Sequence, residues 1–266
     1  MNKNDRKFPM TNQELLAIAM AQSAREMNCH EKDFIREEPI VVTSCKSKGA
    51  RAYYSGLPFD CNLVSYGTNV VASARPDLKD MVEEYLNRYP AEHCFETPHM
   101  HVLNQELQTH GLQICFMAEY FLPDLDQLDS LPCKYPLRLL EPKDFALLYQ
   151  PQWSNALCEK RKSLDVMGVG AYDGDELVGL AGASADCDTM WQIGIDVLPA
   201  YRRKGIASAL TARLALEVLN QGRAPFYCAA WANIKSVRNA VKSGFRPAWV
   251  EMTAKSAAFV AKMNQI

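Results

Sequence analysis

One short segment of the chain combines a strand end, positive charge, a glycine and the start of a long apolar helix. It runs Ile195-Asp-Val-Leu-Pro-Ala-Tyr-Arg-Arg-Lys-Gly-Ile-Ala-Ser208. Three cations precede a glycine and a small residue: Arg202, Arg203, Lys204, Gly205 and Ala207. A helix start exposes unpaired N–H groups and a positive dipole end, and glycine lets the backbone approach a ligand. The segment therefore predicts an anion site suited to a diphosphate, although a basic loop that only caps a buried helix would have the same composition.

The elements that must position this segment are a strand before it and a helix after it. We expect the strand at residues 190–197 and the helix at residues 205–220, ended by Gln221-Gly222. Apolar residues recur in the helix at a spacing of four: Ile206, Leu210, Leu214 and Val218. The same helix has a second apolar side, which indicates that it is buried on more than one face.

The rest of residues 135–266 is predicted to alternate strands with two further helices. Asp173-Gly174 is typical of a hairpin turn. We expect strands at residues 136–140, 166–172, 176–185, 225–231 and 245–253, and helices at residues 142 to about 164 and 233–243. Residues 254–263 have a more helical pattern.

Two further motifs follow the basic segment. Arg202-x-x-Gly205-x-Ala207 follows a strand that ends Val197-x-Pro199, and Asn233-x-x-Ser236 and Lys242-x-Gly244-Phe245 come about thirty residues later. This combination resembles the GNAT acetyltransferase superfamily over about residues 136–253. The resemblance implies an α/β (α+β) fold with a mixed, mostly antiparallel sheet flanked by helices, here with an additional N-terminal α/β domain.

The resemblance also implies acetyl-CoA as the cofactor and a set of residues that bind it. In this family the loop holds the pyrophosphate, and the pantetheine arm lies between two strands that splay apart, here 190–197 and 226–230. Backbone groups of Ile195 and Val197 would face the pantetheine and the acetyl carbonyl. The implied cofactor-binding residues are Ile195, Val197, Arg202, Arg203, Lys204, Gly205, Ile206, Ala207, Ser208, Asn233 and Ser236.

The implied reaction is attack of an amine on a thioester, which needs oxyanion donors, a base and an acid. The N–H of Val197 is the expected oxyanion donor. Asp196 is the candidate base, with Glu119 as a weaker one, although an aspartate in such a position is more often an ordinary exposed strand residue. Many members carry a Tyr as general acid where this chain has Ala240.

The acid role at this position is therefore vacant or is filled by Tyr227, Tyr201 or water. Two functions remain open on these grounds. One is an acetyl-CoA-dependent N-acetyltransferase that acts on a small amine or an exposed amino group. The other is a catalytically silent acyl-CoA-binding regulatory or interaction module.

The two halves of the chain differ in charge and are joined by a linker-like stretch with three prolines. Residues 1–134 carry a net charge of −6 and residues 135–266 a net charge of +4. We therefore expect one domain at 1–134 and the acetyltransferase domain at 135–266. We expect the first half to form one wall of the acceptor site. Its negative charge would favour a cationic amine as the acceptor.

The first half has its own pattern of elements. We expect a helix at residues 11–27, a strand-like run at 61–74, helices at 76–89 and 97–110, and a strand at 112–122. One hypothesis is that this order is a degenerate second copy of the same fold, without the phosphate loop. Because the family ends with two antiparallel strands and this chain does not, the strand at 245–253 is expected to pair with the first half or with a partner subunit. The chain is expected to be a monomer or a homodimer.

Composition excludes several other classes of protein. The net charge of −2 over 266 residues gives no basic field for nucleic acid, and no run approaches the ~18 apolar residues of a membrane span. Nine scattered cysteines without a paired spacing favour reduced thiols in the cytoplasm, and Cys228 is interpreted as a strand thiol. The spacings of a histidine and cysteine group fit no standard zinc site, so no metal is expected: His93, Cys94, His99, His101, His110 and Cys115.

Overall fold

The computed structural model describes residues 8–52 and 58–265. The helices within these ranges are α1 Asn12–Met27, α2 Lys79–Arg88, α3 Thr97–Thr109, α4 Ile206–Asn220, α5 Ile234–Lys242 and α6 Ala257–Met263. The strands are β1 Ile40–Thr43, β2 Cys61–Ser65, β3 Val71–Ala74, β4 Leu112–Pro123, β5 Leu137–Leu140, β6 Asp165–Asp173, β7 Glu176–Ser184, β8 Met190–Val197, β9 Ala224–Ala229 and β10 Phe245–Ser256. None of the described helices is long and apolar enough to cross a membrane.

The chain divides into two compact units. Unit 1 combines the described part of Met1–Ile18 with Phe121–Pro247, and unit 2 combines Ala19–Tyr120 with the described part of Ala248–Ile266. The division falls within α1, β4 and β10. The sequence-based boundary near residue 134 stays a prediction.

Unit 1 contains five neighbouring strands in the order β9-β8-β7-β6-β5. All of these neighbours are antiparallel except β8 and β9, which are parallel. Asp173 pairs with Glu176, and Gly174 has a φ of +60°. The Asp-Gly hairpin expected from the sequence is therefore confirmed.

Helix α4 packs its apolar residues against strands of this sheet, as its spacing predicts. Leu210, Leu214 and Val218 are fully buried. A Cβ built on Gly179 of β7 would lie 2.9 Å from Ile206 Cγ2 and 3.0 Å from Leu210 Cδ1. The absence of a side chain at Gly179 therefore sets how closely the start of α4 approaches the sheet.

The prediction of one helix at residues 142–164 is wrong. Three short 3-10 turns occupy this stretch: Pro142–Asp144, Pro151–Trp153 and Glu159–Leu164. Proline disfavours the helical conformation in the residue before it, and Gln150 before Pro151 is extended, with φ −133° and ψ 155°. Tertiary contacts also take up backbone N–H groups of this stretch, since Cys158 donates to the Asp165 carboxylate at 2.9 Å.

Unit 2 has the strand order β1-β3-β2-β10-β4. β1 is parallel to β3, whereas β2 is antiparallel to both β3 and β10. The run expected at 61–74 is two paired strands, because Gly67, with a φ of +100°, reverses the chain between them. β1 was not expected from the sequence. A buried apolar cluster covers one face of this sheet and packs against α2 and α3.

Strand β10 obtains its neighbour from the first half of the chain. Val250–Ala254 pair with residues 61–65 of β2 in antiparallel register. This confirms one of the two expectations for this edge. The chain turns helical only after Ser256, whose hydroxyl caps α6 by accepting from the Phe259 N–H at 3.2 Å.

A buried ionic cluster lies within unit 2. Arg51 Nη2 is 2.7 Å from Glu26 Oε2 and 3.4 Å from Glu251 Oε2, and all three side chains are at least 95% buried. Asn62 Nδ2 donates to Glu251 Oε1 at 3.0 Å, and its own Oδ1 accepts from the Thr253 hydroxyl. Hydrogen bonds to each charge offset part of the cost of removing it from water.

Candidate active site

The basic segment lies where the sequence predicts it, between a strand and the long helix. β8 ends at Val197, a 3-10 turn spans Pro199–Tyr201, and α4 begins at Ile206. The turn between them has two residues in the left-handed region, Arg203 with a φ of +64° and Gly205 with a φ of +82°. A non-glycine residue in this region is uncommon and is characteristic of constrained functional turns.

Side chains within the turn hold it in this shape. Arg202 Nε donates to the carbonyl of Val197 at 3.0 Å, and Lys204 Nζ lies 4.8 Å from the centre of the Tyr201 ring. Gly205 is the N-cap of α4, and a Cβ built on it would meet no atom within 4 Å. The backbone at Gly205 thus faces open space that a ligand can enter.

The first turn of α4 directs its N–H groups at this space. Ala209 N is the first to donate within the helix, to Gly205 O at 3.1 Å, so the N–H groups before it have no intrahelical acceptor. Ser208 Oγ also donates to Gly205 O, at 3.0 Å. The groups that remain available come from Ile206, Ala207 and Ser208, all of which line a cleft of about 220 Å³.

The opposite side of this cleft is formed by residues of α5 that the sequence did not assign to the site. Arg238, Asn239 and Lys242 line it there. Among the residues that the structure describes, none that lines the cleft is acidic. The sequence does contain a signal for two of these residues, because Arg238 and Lys242 are four residues apart on one helix and therefore share a face.

A gap opens between β8 and β9 beside the cleft. The two strands pair only from Met190 and Ala224 to Gln192 and Phe226, although β8 continues to Val197 and β9 to Ala229. Gln192 Nε2 donates to Cys228 Sγ at 3.1 Å, close to the point where pairing stops. The strands expected to splay apart therefore lose their pairing at the expected place.

The backbone of β8 presents polar groups to this gap. Leu198 N donates to Val178 O at 3.0 Å, in line with the register that places Val197 opposite Gly179 and Ile195 opposite Ala181. Hydrogen-bonded pairs alternate with non-bonded pairs in an antiparallel ladder. Ile195 and Val197 are thus in non-bonded pairs, and their N–H and C=O groups point away from β7, toward the side of β9.

Asn233 and Ser236 lie together at the start of α5. Asn233 caps the helix, with Oδ1 accepting from Ser236 N at 3.2 Å. Ser236 Oγ is 2.7 Å from the hydroxyl of Tyr227 on β9. Burial raises the pKa of Tyr227, although hydrogen bonds with Ser236 and Asn239 oppose the shift. This phenol therefore stays protonated at neutral pH.

The two tyrosines considered as acids differ in their surroundings. The Tyr201 hydroxyl donates to Asp173 Oδ2 at 3.1 Å and to Glu176 Oε2 at 3.2 Å. These hydrogen bonds to the hairpin carboxylates raise the pKa of Tyr201 to about 12. Ala240, at the family's tyrosine position, is fully buried on α5. Of the two, only the Tyr227 hydroxyl lies against α5.

The Asp196 carboxylate binds a neighbouring chain segment. Its Oδ2 accepts from the backbone N–H groups of Asn155 at 2.8 Å and Ala156 at 3.0 Å, and its Oδ1 accepts from Asn155 Nδ2 at 2.6 Å. Burial raises the pKa of Asp196, while these hydrogen bonds and the charge of Arg202 lower it. Both oxygens are thus engaged, and Glu119, the weaker candidate base, lies half-buried on β4.

The same segment crosses two glycines of the sheet. A Cβ on Gly182 would overlap the carbonyl of Ala156, and a Cβ on Gly194 would overlap the carbonyl of Asn155. The segment Asn155–Ala156 therefore lies directly on β7 and β8, close to the gap. Nothing in the sequence indicated these contacts, because they join residues that are 26 and 39 positions apart.

The group of histidines and cysteines does not converge on one point. His93 and His99 stack with ring centroids 5.5 Å apart. Within residues 8–52 and 58–265, no three His, Cys, Asp or Glu side chains come together as a metal site. All nine cysteines are free thiols.

The chain is similar to several solved structures. An acetyltransferase of the GNAT family from Novosphingobium aromaticivorans is 16% identical, with a TM-score of 0.43 over 54% of this chain and 66% of that one. A Drosophila protein is 14% identical, with a TM-score of 0.46 over 94% and 92%. An aminoglycoside N-acetyltransferase in complex with CoA is 19% identical, with a TM-score of 0.34 over 45% and 92%. The chain thus spans just under two thirds of the Novosphingobium protein.

Comparison at the level of sequence gives two results. No curated protein is significantly similar to the chain. The family model described as GNAT acetyltransferase matches residues 70–248, which is more than half of the chain. This protein therefore belongs to the GNAT acetyltransferase family.

Proposed function

We propose that the protein is an acetyl-CoA-dependent N-acetyltransferase that transfers the acetyl group directly to an amine. The observation that carries this proposal is the cleft at the start of α4, with its left-handed turn at Arg203 and Gly205. It is continuous along β8 with a gap where the pairing of two parallel strands ends. Family membership is consistent with this activity.

The cleft suits the pyrophosphate of CoA. The N–H groups from residue 203 to residue 208 would hold the phosphate oxygens, and the loop cations would balance their charge. Arg202 acts mainly on the loop itself through Val197 O, so Arg203 and Lys204 are the cations that remain for the ligand. Gly205 leaves the room that the phosphates need.

The gap suits the pantetheine arm and the thioester. Acetyl-CoA supplies a carbonyl that an amine can attack. The N–H and C=O groups of Ile195 and the N–H of Val197 point into this gap, where they would orient the arm and stabilise the oxyanion. Ser236 and the cap residue Asn233 would contact the arm from α5.

Proton transfer requires a donor for the leaving thiolate and an acceptor for the ammonium proton. We assign the donor role to Tyr227, because its phenol stays protonated and its hydroxyl lies at the face of α5 that carries Ala240. Water is the acceptor that this geometry favours, since both oxygens of Asp196 already bind Asn155 and Ala156.

The acceptor we propose is a cationic small amine or amino group. The net charge of −6 on residues 1–134 supports this choice, since it favours the approach of a cation. The free thiols fit a cytoplasmic protein. We propose a monomer or homodimer. A separate domain at residues 1–134, and its origin as a degenerate copy of the fold, stay predictions from the sequence.

One observation favours a second function. Ala240 leaves the family's usual acid position without a phenol, which a silent acyl-CoA-binding regulatory or interaction module would tolerate. Release of CoA thiol from acetyl-CoA, measured across a panel of polyamines, amino sugars, amino acids and peptides, separates the two. Amine-dependent thiol release supports the enzyme. Tight binding of acetyl-CoA without turnover on any amine supports the binding module.

A further inference from the structure

Helices α2 and α3 line another cleft, of about 310 Å³, within unit 2. Its floor is apolar and consists of Met81, Tyr85, Val102 and Leu103. Tyr85 and Leu103 are buried members of the apolar cluster under these helices, and Met81 packs against the same cluster. The Tyr85 hydroxyl donates to Cys94 O at 2.8 Å, which holds the ring in place. The cleft, which we call the α2–α3 groove, therefore has a preformed apolar floor.

Charged side chains complete the lining of the α2–α3 groove. Asp80 and Glu84 belong to α2 and Glu106 to α3, and all three are exposed. Among the residues that the structure describes, no cation pairs with any of these three carboxylates. The guanidinium of Arg88, which also lines the groove, lies 5.4 Å from the centre of the Tyr89 ring. Three carboxylates and one guanidinium leave the groove with a net charge of −2.

The negative charge of the first half of the chain is concentrated around this groove. Residues 76–110, which contain both helices, hold seven acidic and two basic residues. Their net charge of −5 makes up most of the net charge of −6 on residues 1–134. A concentrated field of one sign speeds the approach of a partner of opposite charge and disfavours partners of the same charge. The charge of this surface therefore calls for a basic partner.

The length of the groove matches two turns of a helix. Its lining residues on α2 run from Asp80 to Arg88, a distance of about 12 Å along the helix axis. A helix that docks in a groove presents apolar anchors at positions i, i+4 and i+7, which cover a similar length. The volume of about 310 Å³ lies at the lower limit of pockets that hold small molecules. Apolar side chains of a helix would fill this volume, and cations on the same helix would lie beside the carboxylates.

We propose that the α2–α3 groove is a docking site for a basic amphipathic helix of a partner protein. Apolar side chains of that helix lie on the floor, and its lysine or arginine side chains pair with the three carboxylates. Arg88 stands at the end of α2 and repels a cation there, so it sets the direction in which the helix docks. This inference is independent of the proposed function, since it involves neither the nucleotide nor the acceptor.

Titration of the full chain with a fluorescent leucine–lysine peptide tests the groove. The peptide has about four helical turns, with leucine on one face and lysine on the other. The protein forms are the wild type, Glu84→Lys with Glu106→Lys, and Glu83→Lys with Glu37→Lys as a matched control. Glu83 and Glu37 are exposed and do not line the groove, so both double variants change the net charge equally. We expect the groove variant to bind the peptide about tenfold more weakly than the wild type, and the control to stay within about twofold.

A second peptide, with alanine in place of leucine, tests the apolar floor. We expect the wild type to bind it about tenfold more weakly than the leucine–lysine peptide, because alanine leaves the floor uncovered. Three outcomes overturn the proposal. The wild type fails to bind the leucine–lysine peptide, it binds both peptides equally, or the groove and control variants lose affinity by the same factor, which would mean attraction to the overall charge alone.

Two further measurements exclude other occupants. Analytical ultracentrifugation of the wild type would assign the groove to a second copy of this chain if it shows a dimer that the groove variant loses. Calorimetry with phenethylamine would assign the groove to a small organic amine if this amine binds as tightly as the peptide. Either result overturns the partner helix. Circular dichroism and thermal unfolding confirm that each variant is folded.

Discussion

Asp196 binds Asn155 twice, through a backbone N–H donor at 2.8 Å and a side-chain amide at 2.6 Å. One carboxylate thus attaches the stretch around Asn155 to β8, one residue away from the backbone groups that face the gap. A substitution that removes the hydrogen bonds of Asp196 should therefore shift the stretch around Asn155 beside the gap. A substitution that removes only the charge of Asp196 should leave this stretch in place.

We expect Asp196→Asn and Asp196→Ala to behave differently. Asparagine keeps an oxygen for the two backbone N–H donors, so turnover and stability should stay within a few-fold and about 1 kcal/mol of the wild type. Alanine leaves three donors without an acceptor and should lower the free energy of unfolding by about 3 kcal/mol. Urea unfolding and thiol release measure the two effects. If Asp196→Asn abolishes turnover while stability is preserved, Asp196 is the base and not a positioning residue.

Because the pKa of Asp196 is raised, its contribution to the free energy of unfolding should depend on pH. A carboxyl whose pKa is higher in the folded than in the unfolded state contributes stability at pH values below the unfolded pKa, near 4. That contribution is lost as the pH rises through the folded pKa. The free energy of unfolding of the wild type minus that of Asp196→Asn should therefore fall between pH 3 and pH 7. A difference that grows with pH would mean that the hydrogen bonds outweigh burial.

Alanine at two glycines should separate stability from binding. Gly194→Ala places a Cβ on the Asn155 carbonyl, and we expect a loss of about 3 kcal/mol, at the upper end of ordinary overpacking. Gly205→Ala meets no atom but keeps a φ of +82°, which costs about 1 kcal/mol. Thermal unfolding of both variants tests this order, and a larger loss at Gly205 would contradict the close crossing at Gly194.

Phenylalanine at the two tyrosines tests the assignment of the acid. Tyr227→Phe should lower kcat about tenfold, which is less than usual for a general acid because a thiolate leaves readily. Tyr201→Phe is the matched control, since its hydroxyl binds Asp173 and Glu176. Steady-state thiol release at saturating acetyl-CoA measures both. An unchanged kcat in Tyr227→Phe assigns the proton to water.

The sequence predicts best what depends on neighbouring residues. The strand, basic turn and helix at residues 190–220 follow from local spacing and from the glycine, and the structure has them within one residue of the expected bounds. The GNAT motifs predict the family to which the chain belongs, and the family model confirms that prediction.

The sequence predicts worst what depends on distant contacts. The sequence predicts a helix at residues 142–164, but Pro151 interrupts it. In addition, Asp196 accepts hydrogen bonds from two of the backbone N–H groups that a helix would use. The position of Arg238 and Lys242 opposite the loop required the packing of α5 on α4. Strand β1 has only four residues and thus too short a pattern to detect.

The turn at Gly205 and the first turn of α4 are the proposed binding site for the phosphates of acetyl-CoA. Calorimetric titration of wild type, Gly205→Ala and Gly205→Asp with acetyl-CoA tests it most directly, because the two variants share the backbone strain and differ in charge. We predict one-site binding to the wild type, binding within about tenfold of it for the alanine variant, and none for the folded aspartate variant. No heat with the wild type, or equal affinity for the aspartate variant, would contradict the account.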